Sequence, residues 1–227
     1  MEQRLFRALQ DWGALVAEAY LRNSGPKALT SEAEIARAVM SDLHAGLFSK
    51  QVLRPIYEQH YALVAGETLD TINQGLGLGV NLSDPAERRI LAKGGTRAGL
   101  VDLTASTRKN VARLVADGRA AGNGPAAIAR AIRDQVPAGR FVNAGPRYRS
   151  MLIARTETKF AQNAASLEVY KGAPGIGGVQ AFDAQGSGET DDECQDRDGQ
   201  IFSFADADME LASEHPGGTL SFAPVAA

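Results

Sequence analysis

Apolar residues recur at helical intervals along the first two-thirds of the chain. Leu5, Leu9, Trp12 and Val16 fall four, three and four apart, the seam of an amphipathic helix that stops near Asn23-Ser24-Gly25-Pro26. Ser31 and Glu34 have capping-box spacing, so they predict a second helix with Ile35, Val39 and Leu43 on its apolar face. A third begins near Lys50 and uses Val52, Ile56, Leu63 and Leu69 or Ile72, until Gly75, Gly77 and Gly79 interrupt it. Asp84-Pro85 is a good N-cap and N1 pair for a fourth helix, bent or broken at Gly94-Gly95. From Leu103 to about Ala120, Val111, Leu114 and Val115 share a side that Arg108, Lys109, Arg113 and Arg119 largely avoid. Gly122-Asn123-Gly124-Pro125 ends that helix and starts another, in which Ile128, Ala129, Ile132 and Val136 face inward.

After a loop from Pro137 to Pro146, Ile153, Phe160, Ala164 and Leu167 recur at seven, four and three and predict a central helix running to Tyr170. The texture then changes. Lys171 to Gly178 is too rich in glycine and proline to continue a helix, and Val179–Phe182 is short enough to be a strand. An irregular acidic turn, Gly186 to Asp198, leads through Asp198-Gly199 into a second expected strand, Gln200 to Phe204. Leu220 to Pro224 offers a third. The expected fold class is therefore α+β: a mainly helical N-terminal two-thirds, with a small C-terminal sheet packed on the central helix. Along the chain this divides into a helical region at 1–145, expected to face a partner, and an α+β module at 146–227. No repeat at a period of twenty to fifty residues is visible, which argues against a solenoid.

Composition narrows the class. At 227 residues the chain can bury a real core, and it carries no run of eighteen apolar residues. Its first twenty residues mix acids into a helical period, unlike a signal peptide, so a soluble protein kept in the cytoplasm is expected. The single cysteine, Cys194, excludes an internal disulfide framework and a zinc site built from several thiolates. Charge is uneven: residues 86–160 hold fifteen Lys or Arg against five acids, whereas residues 181–227 hold eleven acids against Arg197 alone. One reading makes these the solvated faces of helices; the other has Arg88, Arg89, Lys93, Arg97, Arg108, Lys109, Arg113 and Arg119 contact an anionic partner.

The candidate chemistry is sparse. Gly75-Leu-Gly-Leu-Gly lacks the strand and helix start of a dinucleotide fingerprint. A calcium loop at Asp196-Arg197-Asp198-Gly199 would have a thiol as first ligand and Ala205 in place of the bidentate glutamate, so this stretch reads as a turn with capping aspartates. Cys194 and His215 are two soft ligands where zinc wants four, and Asp192 and Asp196 would have to complete the set; no metal and no cofactor are expected. The bland alternative buries Cys194 and lets His215 hydrogen-bond a backbone carbonyl beside Pro216. Arg155 and Glu157 lie two apart and point in different directions on a helix, while Thr156 and Asn163, seven apart, share a face. Arg155 is expected to cross to a carboxylate or carbonyl of the C-terminal sheet, and Asn163 to anchor a loop through its amide. An enzymatic alternative, with Glu157, Asp192 and His215 as an acid/base set, has no nucleophile or phosphate loop beside it.

The order of these segments carries a resemblance. A helix-rich region, IARTET at Ile153–Thr158, then Asn163 and Tyr170, DDECQDRDGQIF at Asp191–Phe202, and His215-Pro216 near the end together resemble the phage Mu F-like minor head (head morphogenesis) proteins. That family is typified by an ARTE helix start, an N a turn or two later, a C or H before a D-G pair, and an HPNCRC-like close. The specific part covers Met151 to Pro224, with Arg155, Thr156, Glu157, Asn163, Cys194, Asp198, Gly199, His215 and Pro216 as the motif residues. The chain departs from the family where Gly217-Gly218-Thr219-Leu220 replaces both closing cysteines. The resemblance implies a non-enzymatic minor component of the virion head near the portal vertex, present in the host cytoplasm during assembly, that assists capsid assembly, DNA packaging or ejection. Its implied partner is the portal protein, with packaged DNA and major capsid or scaffolding protein as further candidates, and no membrane. A small hydrolytic or toxin-related enzyme and a sequence-independent DNA-binding protein are the alternatives; with the chain ending shortly after Pro224, no appended effector domain is expected.

Overall fold

A computed structural model describes residues 1–24, 31–43, 48–81, 103–139, 141, 143–183 and 191–227. The helix expected from Pro85, with its Gly94-Gly95 bend and with Arg88, Arg89, Lys93 and Arg97, lies outside these residues. The described helices are α1 (Glu2–Asn23), α2 (Glu32–Asp42), α3 (Arg54–Leu76, after a π-helical turn at Ser49–Leu53), α4 (Leu103–Ala120), α5 (Pro125–Gln135), α6 (Gly145–Gly172), α7 (Asp192–Arg197) and α8 (Phe204–Ser213). The strands are β1 (Ile176–Phe182), β2 (Ile201–Phe202) and β3 (Ser221–Ala226). The architecture is α+β, mainly helical, with the small sheet at its C-terminal end.

The chain forms two compact units that are interleaved in sequence. One comprises Met1–Ile56 with Arg97–Met151, and the other Tyr57–Thr96 with Leu152–Ala227. The division of the sequence at 145/146 is thus a division along the chain, and α3 from Tyr57 onward groups with the C-terminal elements.

In the first unit, the α1 seam is buried as its period requires: Leu5, Leu9, Trp12 and Val16 are at most 2 % exposed. Trp12 donates its indole N–H to Thr107 Oγ1 at 2.9 Å, which satisfies the one polar atom that burying it would otherwise leave unpaired. Ser31 and Glu34 close the expected capping box on α2, and Ile35 and Val39 are buried. Val111, Leu114 and Val115 of α4 and Ile128, Ala129 and Ile132 of α5 complete the core. Two glycines set close approaches: a Cβ on Gly13 would lie 2.7 Å from the Arg133 carbonyl oxygen, and one on Gly118 would lie 2.5 Å from Ile128 Cγ1.

In the second unit, Tyr61, Val64 and Ala65 of α3 form a continuous core with Phe160, Ala161, Ala164, Ala165, Leu167 and Tyr170 of α6. Val179 and Ala181 of β1, Ala207 and Leu211 of α8, and Leu220 and Phe222 join the same cluster. The expectation for α3 is corrected here: Leu63 is 59 % exposed, and Tyr61 with Val64 supplies the buried face. The sheet has the order β2-β1-β3, antiparallel throughout, with Val179 opposite both Phe202 and Pro224. Pro224 does not end β3 but sits inside it, which an edge strand permits because the missing N–H faces away from the ladder.

The second strand is shorter than its alternating residues suggest. It stops at Phe202, and Ser203 caps α8 by accepting a hydrogen bond from the Asp206 amide. The acidic stretch likewise holds a helix that periodicity did not reveal, α7, capped by the Asp191 carboxylate on the Cys194 amide at 2.9 Å. Central helix α6 also runs two residues past Tyr170, through Lys171 and Gly172.

Candidate functional site

The second unit gathers the motif residues on one wall of α6 and on the turns that follow the sheet. Thr156 and Asn163 do share a face, and both receive the closing segment. Thr156 Oγ1 donates to the Leu152 carbonyl at 2.8 Å and accepts from the Gly217 amide at 3.1 Å. Asn163 Nδ2 donates to the Leu220 carbonyl at 2.8 Å, the loop anchor expected of it. Gly217 holds φ +84°, a conformation that favours glycine, so the His-Pro-Gly turn can present its amide to the helix. Glu157 is fully buried and accepts a hydrogen bond from the Tyr61 hydroxyl of α3. Beside it, His60 Nε2 and Thr158 Oγ1 are 2.7 Å apart, and burial lowers the His60 pKa from its ordinary value.

Arg155 does not make the crossing expected of it. It is exposed and, among the described residues, has no hydrogen-bond or ion-pair partner. In the second unit, a buried cation among the described residues is Arg197, at the last turn of α7. Its guanidinium meets Asp183 through Nε (2.9 Å) and Nη2, Glu214 through Nη2, and Glu210 through Nη1 (3.3 Å). The side chain of Arg197 is 8 % exposed, that of Asp183 0 % and that of Glu214 8 %. Burial opposes the charge of Arg197, but Asp183 and Glu214 more than offset it and hold its pKa above the ordinary value. Glu214 moves the other way for a carboxyl: burial raises its pKa despite the adjacent guanidinium. Asp183 also accepts from Thr219 Oγ1 at 2.5 Å, and its amide donates to Asp198 Oδ1 at 2.7 Å. Gly199, at φ +80°, turns the chain back so that its amide reaches the Ala181 carbonyl at 2.9 Å. Asp198-Gly199 is therefore a capping turn that hooks the end of α7 to β1.

Cys194 and His215 meet at this same end. Cys194 is 0 % exposed, and its Sγ lies 3.2 Å from His215 Nε2. His215 Nδ1 faces the Pro216 carbonyl at 3.3 Å, the backbone contact expected of it. Asp191 adds a carboxylate oxygen 3.7 Å from Nε2, so the donor atoms of Asp191, Cys194 and His215 all lie within 4.8 Å of one another. Asp192 and Asp196, the expected completing acids, are exposed and outside this group. Burial pushes the Cys194 thiol up to about 11, and the Cys194 amide holds Asp191 below the ordinary carboxylate range. Burial disfavours the thiolate form, which argues against Cys194 as an activated nucleophile in this Cys–His contact. Glu157, Asp192 and His215 are not brought together as an acid/base set, since Glu157 is buried against Tyr61 while Asp192 is exposed.

Of the basic residues of the first unit, Arg119 pairs with Glu32 at 3.1 Å and Arg113 with Asp117 at 3.1 Å. Arg149, 2 % exposed, donates to the Pro137 carbonyl. Arg108 and Lys109 are exposed on α4 and line a depression together with Ala33, Ala36, Arg37, Ala105 and Ala112.

Residues 109–219 match the family described as phage Mu protein F like protein. This part of the chain is similar to the phage Mu protein F like family. The match begins in α4 and ends between Gly217 and β3, so it spans the ARTET helix, the capped acidic α7 and the His-Pro turn that docks on Thr156. No curated protein and no solved structure gives a significant match. Among the described residues, no helix is long and apolar enough to cross a membrane.

Sequence reasoning singled out Thr156, Asn163, Cys194, Asp198, Gly199 and His215, and it did not single out Arg197, Asp183 and Glu214, which the structure brings together. A signal for Arg197 was present, since it is the one base in residues 181–227. A lone arginine among eleven acids has carboxylates on every side and no competing cation.

Proposed function

We propose that the chain is a minor phage head protein that binds the portal vertex and assists head assembly, DNA packaging or DNA ejection. The observation that carries this reading is the phage Mu protein F like match across residues 109–219. The internal roles of the motif residues support placement and binding as the activity. Thr156 and Asn163 fasten the closing segment, Glu157 ties α6 to α3, and Arg197 ties α7 to α8. Each is consumed in holding the second unit together. Exposed Arg108 and Lys109 on α4, with no acid among the described residues that line their depression, suit an acidic partner surface or DNA.

The test is co-purification with the portal protein from a lysate, with and without nuclease. Retention of the portal after nuclease treatment supports the reading. Loss of the portal with nuclease, together with salt-sensitive retention on DNA alone, would replace it with a sequence-independent DNA-binding protein. Failure to associate under either condition overturns portal binding.

A further inference from the structure

We propose that Asp191, Cys194 and His215 form a binding site for one borderline-soft divalent transition-metal ion, with Zn²⁺ as the reference ion. The three residues come from three places in the fold: the cap of α7, its first turn, and the segment after α8. The proposal stands on this geometry and does not depend on the portal-binding reading.

Three observations carry it. First, the spacing fits a single ion. Tetrahedral zinc with Zn–S of about 2.3 Å and Zn–N or Zn–O of about 2.0 Å places neighbouring donors roughly 3.3–3.6 Å apart. The Sγ–Nε2 distance is 3.2 Å and the Nε2–Oδ2 distance 3.7 Å, with all three donors inside 4.8 Å. Second, His215 is already oriented as metal-bound histidines are. Its Nδ1 faces the Pro216 carbonyl at 3.3 Å, so the tautomer that donates there leaves the Nε2 lone pair aimed at the cluster. Third, the donor set is mixed. A thiolate, an imidazole and a carboxylate suit zinc and its first-row neighbours, whereas magnesium and calcium prefer oxygen alone.

Access differs across the cluster. Cys194 is enclosed, but the side chains of His215 and Asp191 are 29 % and 55 % exposed, so the fourth coordination position opens toward solvent and takes water. On binding, the Cys194 S–H bond breaks, its proton leaves to solvent, and the sulfur's electron pair goes to the metal; His215 loses no proton. Asp191 keeps its Oδ1 bond to the Cys194 amide and uses Oδ2 for the metal. The ion would clip α7 to the segment after α8, a link spanning the twenty-one residues from Cys194 to His215.

The experiment uses the full chain, stripped with a chelator and dialysed. Added Co²⁺ should give visible d–d bands and a near-ultraviolet thiolate-to-cobalt charge-transfer band, saturating at one equivalent. Zn²⁺ should displace it at one equivalent by elemental analysis. Cys194→Ser should abolish the charge-transfer band, and His215→Ala and Asp191→Asn should each weaken Zn²⁺ binding at least tenfold while the far-ultraviolet circular dichroism is unchanged. Because Cys194→Ser could unfold the chain, the wild-type cobalt spectrum is decisive by itself. Absence of a charge-transfer band at saturating Co²⁺ overturns the proposal. So does metal binding that survives the double change Cys194→Ser with His215→Ala at full affinity.

Discussion

Replacing Arg197 with alanine should be the most damaging single change in the second unit. Arg197 is the shared cation of Asp183, Glu214 and Glu210, and the first two of these carboxylates are almost fully shielded from water. Removing one partner of a buried ion pair costs about 3–5 kcal/mol, because the remaining charges stay in a medium that solvates them poorly. The Glu210 contact adds little, since that side chain is 36 % exposed and solvent screens it. Arg197→Lys should fall between wild type and alanine: it keeps the charge but has one nitrogen where the guanidinium uses three. The assay is hydrogen exchange read on peptides covering Asp191 to Ser213, together with urea denaturation followed by far-ultraviolet circular dichroism. Trp12 fluorescence would report only the first unit. Arg197→Ala should lower stability by about 3–5 kcal/mol and speed exchange throughout α7 and α8. A loss below about 1 kcal/mol with unchanged exchange would refute the network as the lock between these helices.

Other outcomes follow from the same contacts. Asn163→Ala removes the donor to the Leu220 carbonyl and should cost about 1–3 kcal/mol by denaturation, while exposed Arg155→Ala should stay within about 0.5 kcal/mol. Thr156→Val keeps the shape but loses the acceptor for the Gly217 amide, so it should cost about 1–3 kcal/mol and Thr156→Ser much less. Gly118→Ala forces a methyl toward Ile128 and should cost about 1–3 kcal/mol, read by Trp12 fluorescence in the first unit. Glu214 has a folded-state pKa above its ordinary value, so its contribution to stability is fully present below the unfolded pKa and is lost as pH rises through the folded one. Its carboxyl carbon chemical shift should therefore titrate with a midpoint above the usual glutamate range, and a midpoint at or below that range would contradict the burial argument.

The readable parts of the chain are those where one physical rule dominates. The α1 seam, the Ser31–Glu34 box and the α5 face follow from helical period and capping, and burial confirms each. The shared face of Thr156 and Asn163 followed from seven-residue spacing and Asn163 anchors a loop as expected, whereas the Gly217 amide on Thr156 is seen only in the structure. What escaped was decided by competition between local rules. Phe202-Ser203-Phe204 alternates like a strand, yet Ser203 also has the spacing to cap a helix through Asp206, and burying Ala207 and Leu211 against the core decides for the helix. Arg155 looked like the crossing cation because of its place in the motif, but its position on α6 points it to solvent, and Arg197 sits among the acids instead. The Cys194–His215 meeting could not be read from sequence, because the two lie twenty-one positions apart with a whole helix between them.

The central claim concerns a place in the phage head. Quantitative mass spectrometry of purified heads, normalised to the portal protein, tests it most directly. The chain should stay with the heads through density-gradient purification and high-salt washing, at a fixed small ratio to the portal. Its absence from washed heads, or a ratio that varies with salt and DNA content, would contradict it.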